Sequence, residues 1–292
     1  MPDPSDTPKH KPASPARRRF LKTAAVGALA LGGTALYAGE AEPEHLEIVE
    51  KDVKLPGWPG SASGLRIGQL SDLHCQSDRA VARTKRAVAL LLEQKPDVIF
   101  LTGDFVSSSS RYILACTEAL ASITAVPRGV FAVLGNHDWG GRHAGQRPAI
   151  LTRELTRIGI HVLRNRSVEL PGTPGVWLVG LDPRSMAAQD PEKALRTVPE
   201  EAVKLLLVHE PDFADEAPLG FALQFSGHSH GGQIRLPGLP PLHCPNFGQQ
   251  YPEGLQQAAN HPVYTTRGIG MIGPQMRFCC PPEVTVLTLY PA

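Results

Sequence analysis

From Leu65 onward the sequence repeats one pattern, in which a short run of Val, Ile and Leu ends in a cluster of polar residues. Bounded apolar runs of this length predict buried β-strands. The predicted strands, with two closing strands at the end, cover residues 65–70, 98–101, 130–134, 176–181, 205–208, 221–225, 263–266 and 284–289. Stretches with helical periodicity follow the first three strands and cover residues 79–94, 112–123 and 149–158. Strands that alternate with helices predict an α/β fold with largely parallel strands.

The first polar clusters are evenly spaced. Asp72 and Asp104 are 32 residues apart, and Asp104 and Asn136 are again 32 residues apart, which is about the length of one strand–helix–strand unit. Right-handed crossovers bring the carboxyl ends of parallel strands to the same edge of a sheet, where open α/β sheets bind their ligands. We therefore expect the clusters to form one composite site, whose candidate residues are Asp72, His74, Asp104, Asn136, His137, Asp138, His209, His228 and His230.

The candidate residues offer carboxylate, amide and imidazole ligands. This mixture suits divalent Mn, Fe or Zn better than Ca or Mg alone. Each cluster by itself is weak evidence, because a single histidine is more often a hydrogen-bonded structural residue. The ordered series Asp-x-His, Gly-Asp, Gly-Asn-His-Asp, His and Gly-His-x-His is specific, because every member follows an apolar run.

This ordered series resembles the calcineurin-like metallophosphoesterases over about residues 65–232. The segments 208–212, 227–233, 267–270 and 282–283 resemble the bacterial exported phosphodiesterase branch of that family. The resemblance implies a four-layer α/β/β/α sandwich, with two mixed sheets packed face to face between helices, whereas periodicity alone predicts only α/β. It also implies that two divalent ions, Mn favoured over Fe or Zn, support hydrolysis of phosphoesters, and of diesters rather than monoesters.

The resemblance further implies a role for each candidate residue. Asp104 would bridge the two ions, because a bridging ligand needs two oxygens and a negative charge. A hydroxide shared by the ions would attack phosphorus, since metal binding lowers the pKa of water to about 7. His137 would stabilise the transition state or protonate the leaving oxygen, and Asp138 would orient His137. The first ion would be held by Asp72, His74, Asp104 and His230, and the second by Asp104, Asn136, His209 and His228.

Residues 231–254 are rich in Gly and Pro and show little periodicity, which predicts a long loop near the site. Gly227 and the pair Gly231-Gly232 flank the two histidines of Gly-His-x-His and would allow a close backbone approach. Arg142 and Arg267 also lie next to glycines, so either could reach a substrate phosphate, although a solvated side chain is the simpler interpretation of Arg142.

Positive charge is concentrated at the N-terminus. The formal net charge is +1, and residues 1–40 hold six Lys and Arg against three acidic residues. The remainder is therefore close to neutral and lacks the basic composition that nucleic-acid-binding domains show. We expect no specific nucleic-acid binding. Five cysteines without a C-x-x-C pair predict buried or partly buried thiols rather than a zinc knuckle or a disulfide framework.

The N-terminus also has the composition of an export signal. Residues 1–16 are rich in Pro, Ser and Lys, which predicts disorder. Residues 23–38 carry no charge. Between them, Arg17-Arg18-x-Phe20-Leu21-Lys22 resembles the twin-arginine signal, which is recognised by the twin-arginine export machinery. The weak small-residue site Gly39-Glu40-Ala41 leaves open whether this segment is cleaved or remains as a membrane anchor.

We therefore expect residues 1–41 to form a signal or anchor, and residues 42–292 to form a metallophosphoesterase domain in the periplasm or at the outer face of the cytoplasmic membrane. An enzyme in that compartment would meet phosphodiesters of the envelope or of lipid-linked substrates. Three alternatives stay open: a phosphomonoesterase with the same site, a non-catalytic metal-binding envelope protein, and a mononuclear iron oxygenase with two histidines and one carboxylate. The surplus of ligands disfavours the oxygenase.

Overall fold

Two six-stranded sheets form the centre of the molecule. The computed structural model describes residues 15–107, 109–140 and 145–292. Of residues 1–16, for which disorder is predicted, residues 1–14 therefore lie outside the described chain. The strands are β1 (Glu47–Leu55), β2 (Leu65–Leu70), β3 (Val98–Leu101), β4 (Val130–Ala132), β5 (Ile160–Val162), β6 (Arg166–Glu169), β7 (Val176–Gly180), β8 (Val203–Leu207), β9 (Phe221–Ser226), β10 (Gly254–Gln257), β11 (Pro262–Thr265) and β12 (Glu283–Pro291). The α-helices are α1 (Pro15–Leu36), α2 (Asp78–Glu93), α3 (Ile113–Leu120), α4 (Asn136–Trp139), α5 (Arg147–Arg157) and α6 (Pro191–Leu195).

Both sheets are mixed. The first has the strand order β1-β12-β2-β3-β4-β5, and the second has the order β10-β11-β9-β8-β7-β6. Strands β2 to β5 run parallel, and so do β11, β9, β8 and β7. Antiparallel pairs join β12 to β2 and join the edge strands β10 and β6 to their neighbours. The carboxyl ends of the parallel strands of each sheet therefore lie along one edge.

Three apolar layers hold these elements together. Leu91 of α2 and Leu155 of α5 pack against the first sheet. The inner faces of the two sheets meet in a second layer, where the rings of Phe100 and Phe225 pack edge to face with centroids 5.0 Å apart. The outer face of the second sheet is covered by the short α6 and the 3-10 turn Pro211–Asp215. This arrangement confirms the predicted four-layer sandwich, and its fourth layer is thin.

The predicted strands are all present, and their ends differ from the predicted ends by about two residues at most. The sequence does not predict β1, β5, β6 or β10. Strand β1 is mostly charged and largely exposed at the edge of its sheet, so it lacks the apolar run that marks a buried strand. Strand β12, by contrast, is buried over seven consecutive residues, which explains its imperfect alternation, because both of its faces are covered.

The N-terminal helix continues into a short π-helical turn, Tyr37–Ala41, that is hydrogen-bonded to the domain. The carbonyl of Ala38 accepts the backbone N–H of Arg277 at 2.8 Å. The buried carboxylate of Glu42 accepts the backbone N–H of Cys280 at 2.5 Å. The predicted domain boundary after residue 41 therefore lies between two residues, Ala38 and Glu42, that are both hydrogen-bonded to the domain.

Among the described residues, no helix combines the length and the apolar character needed to cross a membrane.

Candidate metal centre

The candidate site lies where the carboxyl ends of the parallel strands from both sheets meet. The predicted ligands follow the strands in this order: Asp72 and His74 after β2, Asp104 after β3, Asn136 after β4, His209 after β8, and His228 and His230 after β9. Six of them form two compact groups, in each of which the ligand atoms lie within 4.8 Å of one another. The structure thus brings together residues from both sheets, as the position of the polar clusters at strand ends predicts.

Five of the predicted ligands have a left-handed backbone conformation, which residues other than glycine rarely adopt. Their φ angles lie between 44° and 69°, and the residues are Asp72, His74, Asp104, His228 and His230. Such conformations cost about 1–3 kcal/mol each and persist only where the surrounding structure imposes them. Here they turn the chain sharply at the ends of β2, β3 and β9, so that the side chains point toward one centre.

The first group consists of Asp72, His74 and His230, all of them buried. The Nε2 atoms of His74 and His230 are 3.1 Å apart, and Nε2 of His230 is 3.3 Å from Oδ1 of Asp72. Nδ1 of His74 is hydrogen-bonded to the Ser107 hydroxyl at 2.9 Å, which fixes the plane of its ring. Nε2 of each imidazole therefore faces the Asp72 carboxylate.

The second group consists of Asp104, His209 and His228. Nδ1 of His209 donates to the carbonyl of Thr102 at 2.7 Å, which directs its Nε2 toward Oδ2 of Asp104, 3.2 Å away. Nε2 of His228 donates to the carbonyl of Asn246 at 2.8 Å, which leaves its Nδ1 free to act as a ligand. A carbonyl can only accept, so these two bonds select one tautomer for each imidazole.

The donor atoms fit divalent cations. Nε2 of His209 and Oδ1 of Asn136 are buried and have no hydrogen-bond partner among the described residues. A buried polar atom without a partner costs about 1–3 kcal/mol, and a cation would satisfy both atoms. Oδ2 of Asp104 lies 3.5 Å from Nε2 of His74 and 3.2 Å from Nε2 of His209. One carboxylate is therefore placed between the two groups.

Burial and the two carboxylates set the charges of the site. Burial raises the pKa of Asp72, and the neighbouring Asp104 adds to the increase. Burial alone would also raise the pKa of Asp104, but the positive charge of His209 holds it well below its usual value. Conversely, burial would lower the pKa of His209, and Asp104 raises it well above its usual value. Burial lowers the pKa of His74 to about 3, so this imidazole is in the neutral form that binds metal.

His137 and Asp138 lie in the first turn of α4, beside the ligand groups. The backbone N–H of His137 donates to Oδ1 of Asp104 at 2.8 Å, and its ring packs edge-on against that of His74, with centroids 5.1 Å apart. The prediction that the Asp138 carboxylate orients the His137 ring is wrong. Both Asp138 oxygens accept backbone N–H groups instead, from Val106 at 3.1 Å and from Gly135 at 2.9 Å. Asp138 therefore shapes the loop that presents His137, rather than holding its imidazole.

Two glycines allow the strand ends to approach one another. A Cβ atom on Gly135 would lie 2.5 Å from the backbone nitrogen of Asp104. A Cβ atom on Gly227 would overlap Oδ2 of Asp72 and the hydroxyl of Ser71, and would lie 2.8 Å from Cβ of Ser71. Real Cβ atoms do not make such contacts, so any side chain at these positions would push the carboxylates out of place.

The sequence does not predict the part that residues 267–280 play beneath the site. The N–H of Ile269 donates to the carbonyl of Ser71 at 3.1 Å, and that of Gly270 donates to the carbonyl of Asp72 at 2.6 Å. Arg277 is fully buried, and its guanidinium donates to the carbonyls of Arg267, Gly268, Gly270 and Cys280. A single arginine in an irregular segment gives no signal in the sequence, although the Gly-x-Gly at 268–270 marks a place of close packing.

Of the two arginines considered as phosphate ligands, Arg267 is engaged in ion pairs. Arg267 is paired with Glu283 and with Glu47, both at 2.7 Å. Its guanidinium therefore links β12 to β1 through two ion pairs. Arg142 lies outside the described residues.

Residues 65–232 match the family described as calcineurin-like phosphoesterase. The chain belongs to this family. It is 35% identical over 284 residues to the metallophosphoesterase YkuE of Bacillus subtilis (strain 168), which covers 94% of this chain and 97% of the relative. It is 31% identical over 286 residues to the phosphodiesterase YaeI of Escherichia coli (strain K12), with 94% and 98% covered. It is 29% identical to the UDP-2,3-diacylglucosamine pyrophosphatase LpxG of Chlamydia muridarum (strain MoPn / Nigg), with 87% and 92% covered.

Family membership confirms the predicted class of enzyme. This phosphoesterase is a metal-dependent hydrolase of phosphoesters, and the two ligand groups are its candidate sites for divalent metal ions. The match also confirms the resemblance that the ordered motif series indicates.

Gly227→Ala tests whether the close approach of β9 to Asp72 is needed for metal binding. The new methyl group would displace the Asp72 carboxylate, and we expect Mn²⁺ to bind about 10- to 100-fold more weakly, as when a group that positions a ligand is lost. The control is Gly60→Ala, since Gly60 has open space around its Cβ position. Isothermal titration calorimetry measures both affinities. Equal affinities for the two variants would show that the contact does not hold the ligand.

Proposed function

We propose that this phosphoesterase hydrolyses phosphodiesters of envelope or lipid-linked substrates with two divalent ions, Mn²⁺ being favoured. The observation that carries the proposal is the pair of ligand groups with Asp104 between them. The first ion would be held by Asp72, His74, Asp104 and His230, and the second by Asp104, Asn136, His209 and His228. Ions bound there would supply positive charge that polarises a phosphoryl oxygen and makes water more acidic. Two ligand groups also weigh against an oxygenase with a single iron.

Among the residues that the structure describes, the charges around the site favour a diester over a monoester. A phosphate monoester carries about −1.5 to −2 at neutral pH, whereas a diester carries a single negative charge. Arg267 is neutralised by two glutamates, and Arg277 is buried among carbonyls, so neither is free to bind a second negative charge. The relative YaeI is named a phosphodiesterase, and LpxG is named a pyrophosphatase of a diacylated sugar nucleotide. The first name supports a diester as substrate, and the second supports a phosphoanhydride that is linked to lipid.

His137 is the residue that we propose as general acid. Its ring is partly exposed beside the buried ligands, and neither ligand group includes it. The bond from its backbone N–H to Asp104 fixes its distance from the carboxylate between the two groups. Asp138 supports this position through the loop backbone.

The first test of the proposal is hydrolysis of bis-p-nitrophenyl phosphate and p-nitrophenyl phosphate by the full chain, stripped of metal and then titrated with Mn²⁺. We expect faster cleavage of the diester, with activity that saturates at about two ions per chain. Asp104→Ala should lose Mn²⁺ binding and activity together, because Asp104 lies between both groups. A preference for the monoester would overturn the substrate class. Tight binding of two ions without hydrolysis would favour a non-catalytic metal-binding protein.

The role of His137 is tested with two diesters that differ in their leaving group. For His137→Ala we expect turnover to fall by about 10²–10⁴-fold on a diester with an alkoxide leaving group. The fall should be much smaller with nitrophenolate, which needs no protonation, and the metal content should not change. His161→Ala is the matched control, since that ring stacks on Phe131. Equal loss on both diesters would contradict a role in protonation.

We also propose that the twin-arginine motif exports the chain to the periplasm or the outer face of the cytoplasmic membrane. The support is the sequence Arg17-Arg18-x-Phe20-Leu21-Lys22 and the uncharged residues after it.

Export is tested by replacing Arg17 and Arg18 with lysine, which keeps the charge and removes the paired guanidinium groups that the motif provides. We expect the variant to remain in the cytoplasm of a bacterial host while wild type reaches the periplasm or the membrane. Immunoblots of cell fractions measure the distribution, and Lys9→Arg with Lys11→Arg is the control. Export of the variant at the wild-type level would contradict the proposed route.

A further inference from the structure

Residues 234–242, here called the apolar loop, carry four exposed large apolar side chains. The exposed fractions are 37% for Ile234, 49% for Leu236, 52% for Leu239 and 67% for Leu242. The sequence between them contains three prolines. Soluble proteins rarely expose apolar side chains in such a concentration unless the surface binds something. None of these side chains belongs to the candidate metal centre.

The apolar loop is held at its base close to the metal centre. It begins four residues after His230, where the N–H of Arg235 donates to the carbonyl of Phe278 at 2.8 Å and the N–H of Phe278 donates to the carbonyl of Gln233 at 3.1 Å. It is followed by Asn246, whose carbonyl fixes the imidazole of His228. The leucines are therefore presented beside the site rather than on a remote surface.

A second exposed apolar feature lies against the same short segment. Arg277, which precedes Phe278, donates its backbone N–H to the carbonyl of Ala38. The two residues before Ala38 are Leu36 and Tyr37, which are 66% and 50% exposed. Residues 277–278 thus join the end of α1 to the base of the apolar loop.

The charges around the apolar loop and along α1 suit an anionic surface. The acidic residues nearest to them in the chain, Glu253 and Glu40, are paired with Arg235 at 2.6 Å and with Arg79 at 2.7 Å. The chain has no acidic residue between Glu216 and Glu253, a stretch that contains the whole apolar loop, and it has none within α1. Arg19 and Lys22 are exposed in the first half of α1, whose other end carries Leu36. Apolar side chains combined with basic residues are the features that bind peripheral proteins to anionic membranes.

We propose that the apolar loop, together with Leu36 and Tyr37, docks on the surface of an anionic phospholipid bilayer and places the metal centre at the level of the lipid head groups. The prolines suit this role, because each removes a backbone N–H that would otherwise lose its hydrogen bonds to water. Docking requires no catalysis, so it stands or fails independently of the proposed phosphodiesterase activity.

The test is co-sedimentation of the full chain with vesicles of equimolar phosphatidylglycerol and phosphatidylcholine. For Leu239→Ser with Leu242→Ser we expect the partition coefficient to fall by at least about tenfold, because two apolar side chains no longer enter the bilayer. The matched control is Leu114→Ser with Leu219→Ser, since these leucines are 57% and 78% exposed and lie at the start of α3 and ahead of β9. Wild type should bind vesicles of phosphatidylcholine alone more weakly.

Hydrolysis of soluble bis-p-nitrophenyl phosphate and the melting temperature show that both double variants are folded. Equal partitioning of wild type and the loop variant would overturn the proposal, and so would an equal loss in both variants. Sedimentation velocity without lipid tests whether a second copy of the chain covers the apolar loop. A dimer that the loop substitutions abolish, in a protein that does not bind vesicles, would show that the loop binds a second chain and would overturn the proposal.

Discussion

Two carboxylates, those of Asp72 and Asp104, are buried side by side where the two sheets meet, and the charge they carry organises the residues around them. Each residue is at most 1% exposed, and an uncompensated buried charge costs several kcal/mol. The backbone N–H of His228 donates to both oxygens of Asp72, and that of His137 donates to Asp104. Positive charge is supplied by protonated His209 or by divalent ions. The left-handed backbone at His228 brings its N–H to Asp72, and the first turn of α4 brings that of His137 to Asp104.

The same constraint explains parts of the chain that carry no ligand. Strand ends that converge on two carboxylates leave no room for side chains at Gly135 and Gly227, and the backbone of Asp72 is held from below by Gly270. The guanidinium of Arg277 donates to the backbone carbonyls of that segment and so supplies hydrogen bonds that an irregular loop otherwise lacks. The ligands are therefore positioned by packing as much as by their own strands.

Residues 277–280 also connect the site to the surface. The backbone N–H groups of Arg277 and Cys280 donate to Ala38 and Glu42 of the N-terminal segment. The backbone of Phe278 is hydrogen-bonded to the base of the apolar loop. A single short stretch thus contacts the backbone beneath Asp72, the end of α1 and the base of the apolar loop.

The sequence by itself determined the strands that lead into the site and the ligand types that follow them, because an apolar run and the polar residue at its end are local features. Only the tertiary structure decided which imidazole nitrogen faces the centre, since the carbonyls of Thr102 and Asn246 that select it belong to other segments. It also decided that Asp138 binds the backbone of Val106 and that Arg277 lies beneath the site. Such contacts join residues that are distant in the chain, such as His228 and Asp72, which are 156 positions apart. No local pattern indicates which distant group will complete a hydrogen bond.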